Sequence, residues 1–268
     1  MDENKISRIK TAIKENFDRS PAHYHSFEER YGFFRSLSET LLRGMDLPAT
    51  AEVLDVGCGT GASSVQILEA LPRCRVWGLD NSPAMLETAR STIGESDRLT
   101  FVEGDAAKLS HYFSFQFDAI IYGASIFLIP DYEESLRQAR DLLKDRGSVG
   151  LTFMDGLFDV KGNNLMSVAD QEAKEGVSLK KPVNLEKFRS LFADVFPLHR
   201  SWNEDFQLPV EVLREFFSIP AMSAGLFPGI EYPERVRKVA RLFDHIPKTQ
   251  IHFRWILMVG QKKALRAV

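Results

Sequence analysis

The chain has 268 residues, 44% of them hydrophobic and 26% charged, an ordinary globular composition with enough apolar material for a sizeable core. Thirty-four basic against thirty-seven acidic side chains leave a net charge of −3, which argues against nucleic acid as a partner, because a phosphate backbone calls for a basic surplus. Two cysteines, Cys58 and Cys74, can build no disulfide framework and do not suit a zinc site, so no metal is expected. There is no apolar run of about 18 residues and no apolar core in the charged N-terminus, so the expectation is a cytoplasmic protein away from the membrane.

In chain order, residues 1–48 read as helical, with Phe34, Leu37, Leu41 and Met45 at helix spacing before Pro48. Between about 50 and 155, apolar strands alternate with helices. AEVLDVG, CRVWGLD, LTFVEGD, FDAIIYGAS and SVGLTFM are the five strands. Val65, Leu68 and Leu71 mark the first intervening helix. Ser82-Pro83 opens another, with serine as cap and proline in the first turn. Asp131 and Glu134 have capping-box spacing before a further helix. Parallel neighbours need crossover connections, and strands apolar without interruption are covered on both faces, so this is a doubly wound α/β sheet. Farther on, 184–196 read as a helix, while HRSWNEDF and TQIHFRWILMVGQ read as two late strands. Between those strands, Leu208 to Lys248 form an apolar insertion with helices EVLREFFS and PERVRKVARLF, separated by IPAMSAGLFPGIEY. The expected organisation is an N-terminal helical cover (1–48), a cofactor-binding core (49–207 with 249–268) and a helical lid (208–248).

The informative stretch is VLDVGCGTG, residues 53–61, at the end of the first strand and the start of the first helix. That junction is where open α/β sheets bind ligands. Its glycines permit a sharp turn and let a ligand touch backbone. The second strand ends in Asp80, whose carboxylate can accept from both hydroxyls of a ribose. The third ends in Gly104-Asp105 and the fourth in Tyr122-Gly123-Ala124-Ser125. Gly57, Gly59 and Ala62 also satisfy a loose G-x-G-x-x-A dinucleotide pattern, which keeps a nicotinamide-dependent dehydrogenase as the alternative. Three features weigh against it. Asp55 sits inside the motif, where it can face a cationic amino group; Asp105 is suited to an adenine amino group; and seven strands ending in a hairpin-like pair are not two mononucleotide halves.

VLDVGCGTG followed by GLDNSPAML and EGDAAKL resembles the class I S-adenosylmethionine-dependent methyltransferase family, strongly over about residues 50–155. The resemblance implies a seven-stranded, Rossmann-like sheet whose last strand is antiparallel. It implies S-adenosylmethionine as cofactor and S-adenosylhomocysteine as product. Asp55, Gly57, Gly59 and Gly61 would surround the methionine part, Asp80 would hold the ribose and Asp105 the adenine, with Ala106 and Met85 beside the ring; Cys58, Asn81, Gly104 and Tyr122 are further expected cofactor contacts. ENFDRSPAHYHSFE is similar to the F-D-x-x-A-x-x-Y segment of small-molecule members such as the ubiquinone/menaquinone and malonyl-carrier-protein methyltransferases; Phe17, Asp18, Ala22 and Tyr24 match it, Ala22 one place off the commonest spacing. The resemblance thereby implies Tyr24 as a cofactor contact. Tyr24, His25 and Tyr122 are the candidate catalytic residues, although Tyr122 reads equally as a core aromatic.

These readings lead to methyl transfer onto a small, partly apolar acceptor. A carrier-protein-bound acyl group and a non-catalytic cofactor-binding module remain alternatives. Phe216, Phe217 and Phe243 of the insertion are expected to line an enclosed aromatic cavity with Tyr122 and Phe153. The acceptor atom and the oligomeric state are not encoded in these patterns.

Overall fold

A computed structural model describes residues 3–178, 183–248 and 251–264. Three helices come first: α1 (Glu3–Asp18), α2 (Pro21–Tyr31) and α3 (Phe33–Arg43). The core then runs β1 (Glu52–Val56), α4 (Ala62–Ala70), β2 (Arg75–Asp80), α5 (Pro83–Thr92), β3 (Leu99–Glu103), α6 (Leu109–Tyr112), β4 (Phe117–Tyr122), α7 (Tyr132–Leu142) and β5 (Leu143–Phe158). After it come α8 (Leu165–Ala173), α9 (Leu185–Val195), β6 (Leu198–Gln207), α10 (Val210–Ser218), α11 (Pro220–Leu226), α12 (Tyr232–Asp244) and β7 (His252–Gln261).

The seven strands form one sheet in the order β3-β2-β1-β4-β5-β7-β6. β1 to β5 are parallel, and the last strand, β7, is antiparallel to both β5 and β6, as the resemblance implies. Right-handed crossovers put α4 and α5 on one face and α6 and α7 on the other. Val53, Leu54, Val76, Leu79, Ile120 and Ile121 are buried, which accounts for their uninterrupted apolar runs.

Strand β5 runs well past the expected SVGLTFM, because its ladder with β7 continues to Phe158↔His252 through a register shift near Gly156. Three helices lie where none was named from the sequence, the short α6, α8 and α11. α8 is capped by Asn164, whose side chain accepts from Ser167 N at 3.0 Å. α11 starts at Pro220, a residue suited to the first turn. Ser82 caps α5 as read, accepting from Met85 N at 3.2 Å. The Asp131 capping box does not form; Asp131 makes no cap bond and instead meets Lys10 of α1 at 2.8 Å. The start of the late strand, Thr249 and Gln250, lies outside the described residues, as do 1–2 and 265–268 at the ends of the expected segments.

The insertion is tied to the N-terminal helices. Phe216 packs on Phe27 with ring centroids 5.5 Å apart, and Arg30 of α2 pairs with Glu215 of α10. Arg235 of α12, 6% exposed, donates to the Asn16 side-chain carbonyl of α1 at 3.1 Å and to Pro220 O at 3.3 Å.

Candidate active site

The C-terminal ends of β1, β2, β3 and β4 border a pocket of ≈ 1070 Å³, measured out to its open mouth. Gly57, Cys58, Gly59, Asp80, Asn81, Met85, Gly104, Asp105 and Ala106 line it, with Gly123, Ala124 and Ser125 from the end of β4. Two glycines show why the loop is built this way. Gly57 has φ +74°, and a Cβ there would lie 2.5 Å from that of Ser125. At Gly59, φ +55°, a Cβ would meet no atom within 4 Å, which leaves backbone open to the pocket.

The two acids at the rim are held in place but not saturated. Asp80 Oδ2 accepts from Gly59 N at 2.9 Å and Oδ1 from Ser82 N at 2.8 Å. Burial raises its pKa, opposed by these backbone donors. Asp105 Oδ1 accepts from Ala107 N at 2.9 Å, and its Oδ2 takes Lys10 Nζ at 2.8 Å. A carboxylate offers about four acceptor positions, so each acid retains capacity for a ligand. Burial disfavours the Lys10 ammonium, but Asp105 and Asp131 outweigh it and raise its pKa. Lys10 is the one lysine or arginine among the described lining residues.

The wall opposite the sheet is apolar and comes from the N-terminal helices and the segment after β4: Ile13, Phe17, Tyr24, Phe34, Leu128 and Ile129. Tyr24 stacks on Phe17 at 5.8 Å and tilts against Phe34 at 5.4 Å. Burial, with Asp80 nearby, pushes its phenol well above the ordinary range, so it is neutral at physiological pH. Asp18 of the same segment accepts from Ser82 Oγ at 2.6 Å, which pins the end of α1 to the start of α5.

Several expected site residues lie elsewhere. Tyr122 is fully buried with its hydroxyl on Ser135 of α7, 2.8 Å from Oγ and 3.2 Å from the carbonyl oxygen, so it is a core residue. With both faces of β4 covered, sequence could not tell which face its last side chain takes. His25 projects from α2 toward Glu29, 3.4 Å away, and does not line the pocket. Asp55 sits behind the loop at 0% exposure; its Oδ2 accepts from Ser63 Oγ and Ser64 Oγ, both at 2.6 Å, and Oδ1 has no partner. Gly61 serves packing, since a Cβ there would lie 2.5 Å from Ile93 Cδ1. The insertion's phenylalanines do not reach the pocket either. Phe217 packs on Phe243 at 5.8 Å and Phe216 on Phe253 at 5.4 Å, while Phe153 is enclosed by Phe127 and Phe188. The expected aromatic cavity under the insertion is a packed core, and the described cover of the pocket is α1 with α2 and α3. Lys10, Ile13, Ser38, Leu128 and Ile129 carried no local signal, because their place depends on how α1, α3 and the post-β4 segment dock.

Among the described residues no helix is long and apolar enough to cross a membrane. Residues 53–147 match the family described as methyltransferase domain. Trans-aconitate 2-methyltransferase of Enterobacter sp. is 34% identical over 117 residues, 44% of each chain. Malonyl-[acyl-carrier protein] O-methyltransferase 1 of Ilyobacter polytropus is 26% identical over 190 residues, 69% of each. The chain thus spans about half the length of most curated relatives it matches. Among solved structures, a phosphoethanolamine N-methyltransferase of Haemonchus contortus with S-adenosylhomocysteine shares the fold at TM-score 0.54 and 20% identity, covering 84% of this chain and 52% of that one. Residues 53–147 thus match a methyltransferase domain, and the sheet order and the strand-end residues around the pocket are those that the resemblance to class I S-adenosylmethionine-dependent methyltransferases implies.

Proposed function

We propose that this chain transfers a methyl group from S-adenosylmethionine to a small acceptor with an apolar body and a single carboxylate. The observation that carries the cofactor half is the row of unsaturated acceptors along the strand ends. Asp80 has room for the two ribose hydroxyls, Asp105 for the adenine amino group, and Gly59 leaves backbone open between them. Cys58, Asn81, Met85, Gly104 and Ala106 complete this wall. Bound S-adenosylmethionine supplies a methyl group on a positively charged sulfur, which activates the leaving group and attracts an anionic acceptor.

The acceptor half rests on the scarcity of usable bases among the described lining residues. Tyr24 is held neutral, and His25 and Tyr122 face away. Asp80 and Asp105 are assigned to the cofactor. An acceptor that needs no proton removed by the protein fits such a wall, and a carboxylate is one. The names of the two curated relatives, trans-aconitate and malonyl-carrier-protein methyltransferases, point to carboxylate-bearing acceptors in those proteins. A tricarboxylate does not suit this pocket, because its lining cation, Lys10, already bridges Asp105 and Asp131. Phe17, Tyr24, Phe34, Leu128 and Ile129 suit an apolar body. Their catalytic contribution is orientation and exclusion of water.

The test is transfer of labelled methyl from S-adenosylmethionine to a panel of monocarboxylates with aromatic or short aliphatic bodies, with trans-aconitate in parallel. Turnover of a monocarboxylate well above that of trans-aconitate supports the reading. Preference for trans-aconitate, or turnover confined to carrier-protein-bound acyl groups, overturns the acceptor class.

A further inference from the structure

We propose that the hydroxyl of Ser38 on α3 holds the carboxylate of the cofactor's amino-acid end. This rests on the cofactor reading above and adds a residue that neither the motifs nor the N-terminal signature contain. Ser38 is 4% exposed, lines the pocket, and makes no hydrogen bond among the described residues. A serine inside a helix ordinarily returns its hydroxyl to the preceding turn or shows it to water. Two residues on, Thr40 does the former, donating to Ser36 O at 2.9 Å. Ser38 does neither. A serine hydroxyl that takes no protein partner and opens on a pocket is free to hydrogen-bond a polar group of a ligand.

Its position in the fold selects which group. The strand ends follow one another as β3, β2, β1 and β4, each about 4.8 Å from the next, so the row is about 14 Å long. With adenine at Asp105 on β3 and ribose at Asp80 on β2, the amino-acid end falls beyond Gly59 toward β4. Ser38 stands there. A Cβ placed on Gly123, just past β4, would lie 3.7 Å from Ser38 Oγ and 3.9 Å from Ser63 Oγ. Ser63 is in the first turn of α4, a nine-residue helix whose N-terminal amides favour an anion. Beside Ser38 the protein therefore offers the first-turn amides of α4, and Ser38 adds a hydroxyl donor from the neighbouring helix. Donors gathered at one end of the row suit the carboxylate rather than the ammonium.

The test compares two ligands that share the adenosine thioether and differ in the amino-acid end: S-adenosylhomocysteine and 5′-methylthioadenosine. Calorimetric titration of the wild type and of Ser38→Ala is expected to show about a tenfold loss of S-adenosylhomocysteine affinity. Affinity for 5′-methylthioadenosine is expected to stay within about twofold. Because no hydrogen bond is lost, the ligand-free Ser38→Ala protein is expected to melt no lower than the wild type. Ser38→Cys, which keeps the bulk with a weaker donor, should repeat the selective loss. Unchanged S-adenosylhomocysteine affinity, or an equal loss for both ligands, overturns the assignment of Ser38 alone. A folded wild-type protein that binds neither ligand overturns the cofactor reading and this assignment with it.

Discussion

Asp55 gives the fold a pH dependence of unusual sign. Its carboxyl is fully buried behind the glycine loop, with two serine hydroxyls on one oxygen and nothing on the other. Burial dominates, Ser63 and Ser64 oppose it, and the charge of Asp80 adds to it, so the group is pushed up from 3.8 to about 6. A carboxyl whose pKa is higher in the fold binds more protons folded than unfolded between those values. Stability from this group is therefore fully present below pH 3.8 and lost as pH rises through about 6. The whole titration is worth about 3 kcal/mol, of which about 2 kcal/mol falls between pH 4 and pH 7. Asn cannot ionise, and its carbonyl can still accept from the two serines. Urea unfolding of wild type and Asp55→Asn at pH 4, 5, 6 and 7 isolates the effect, since other groups contribute to both proteins. The stability difference between variant and wild type should grow in the variant's favour by about 2 kcal/mol from pH 4 to pH 7. Parallel curves would refute the burial argument.

Phe216→Ala, at a residue 1% exposed among Phe27, Phe33 and Phe253, should cost about 3–5 kcal/mol in urea unfolding. Phe217→Ala should also lower stability while leaving S-adenosylhomocysteine affinity in the folded protein unchanged, as befits a residue away from the pocket. Lys10→Met removes a cation shared by two partly exposed carboxylates; its stability cost should be below about 1 kcal/mol, yet amide exchange in α1 should quicken measurably. Tyr24→Phe should bind S-adenosylhomocysteine within about threefold of wild type, whereas Tyr24→Ala, which removes a ring packed between Phe17 and Phe34, should bind at least tenfold more weakly.

What could be read from the chain follows from how local each determinant is. Parallel strands covered on both faces write themselves as continuous apolar runs, so β1 to β4 were legible, as were Asp80, Gly104 and Asp105 at their ends. The same double burial hides side-chain direction. Tyr122 and Asp55 each end or nearly end a strand, yet one turns to α7 and the other to α4. The phenylalanines of the insertion showed that something there is buried, but not against what. Lys10 reaches Asp105 across 95 residues of sequence, and Ser38 meets Gly123 only because α3 docks beside α4. No periodicity encodes such meetings. Asp131 is instructive in the same way: its spacing to Glu134 fits a capping box, and the ion pair with Lys10 takes its place.

The most direct test of the account is calorimetric titration of the folded protein with S-adenosylhomocysteine and, separately, with NAD, on wild type and Asp80→Ala. The account predicts saturable binding of S-adenosylhomocysteine and none of NAD. Asp80→Ala should bind at least tenfold more weakly, since the ribose loses two hydrogen bonds to a charged acceptor. Binding of NAD in preference, or S-adenosylhomocysteine affinity indifferent to the loss of Asp80, would contradict it.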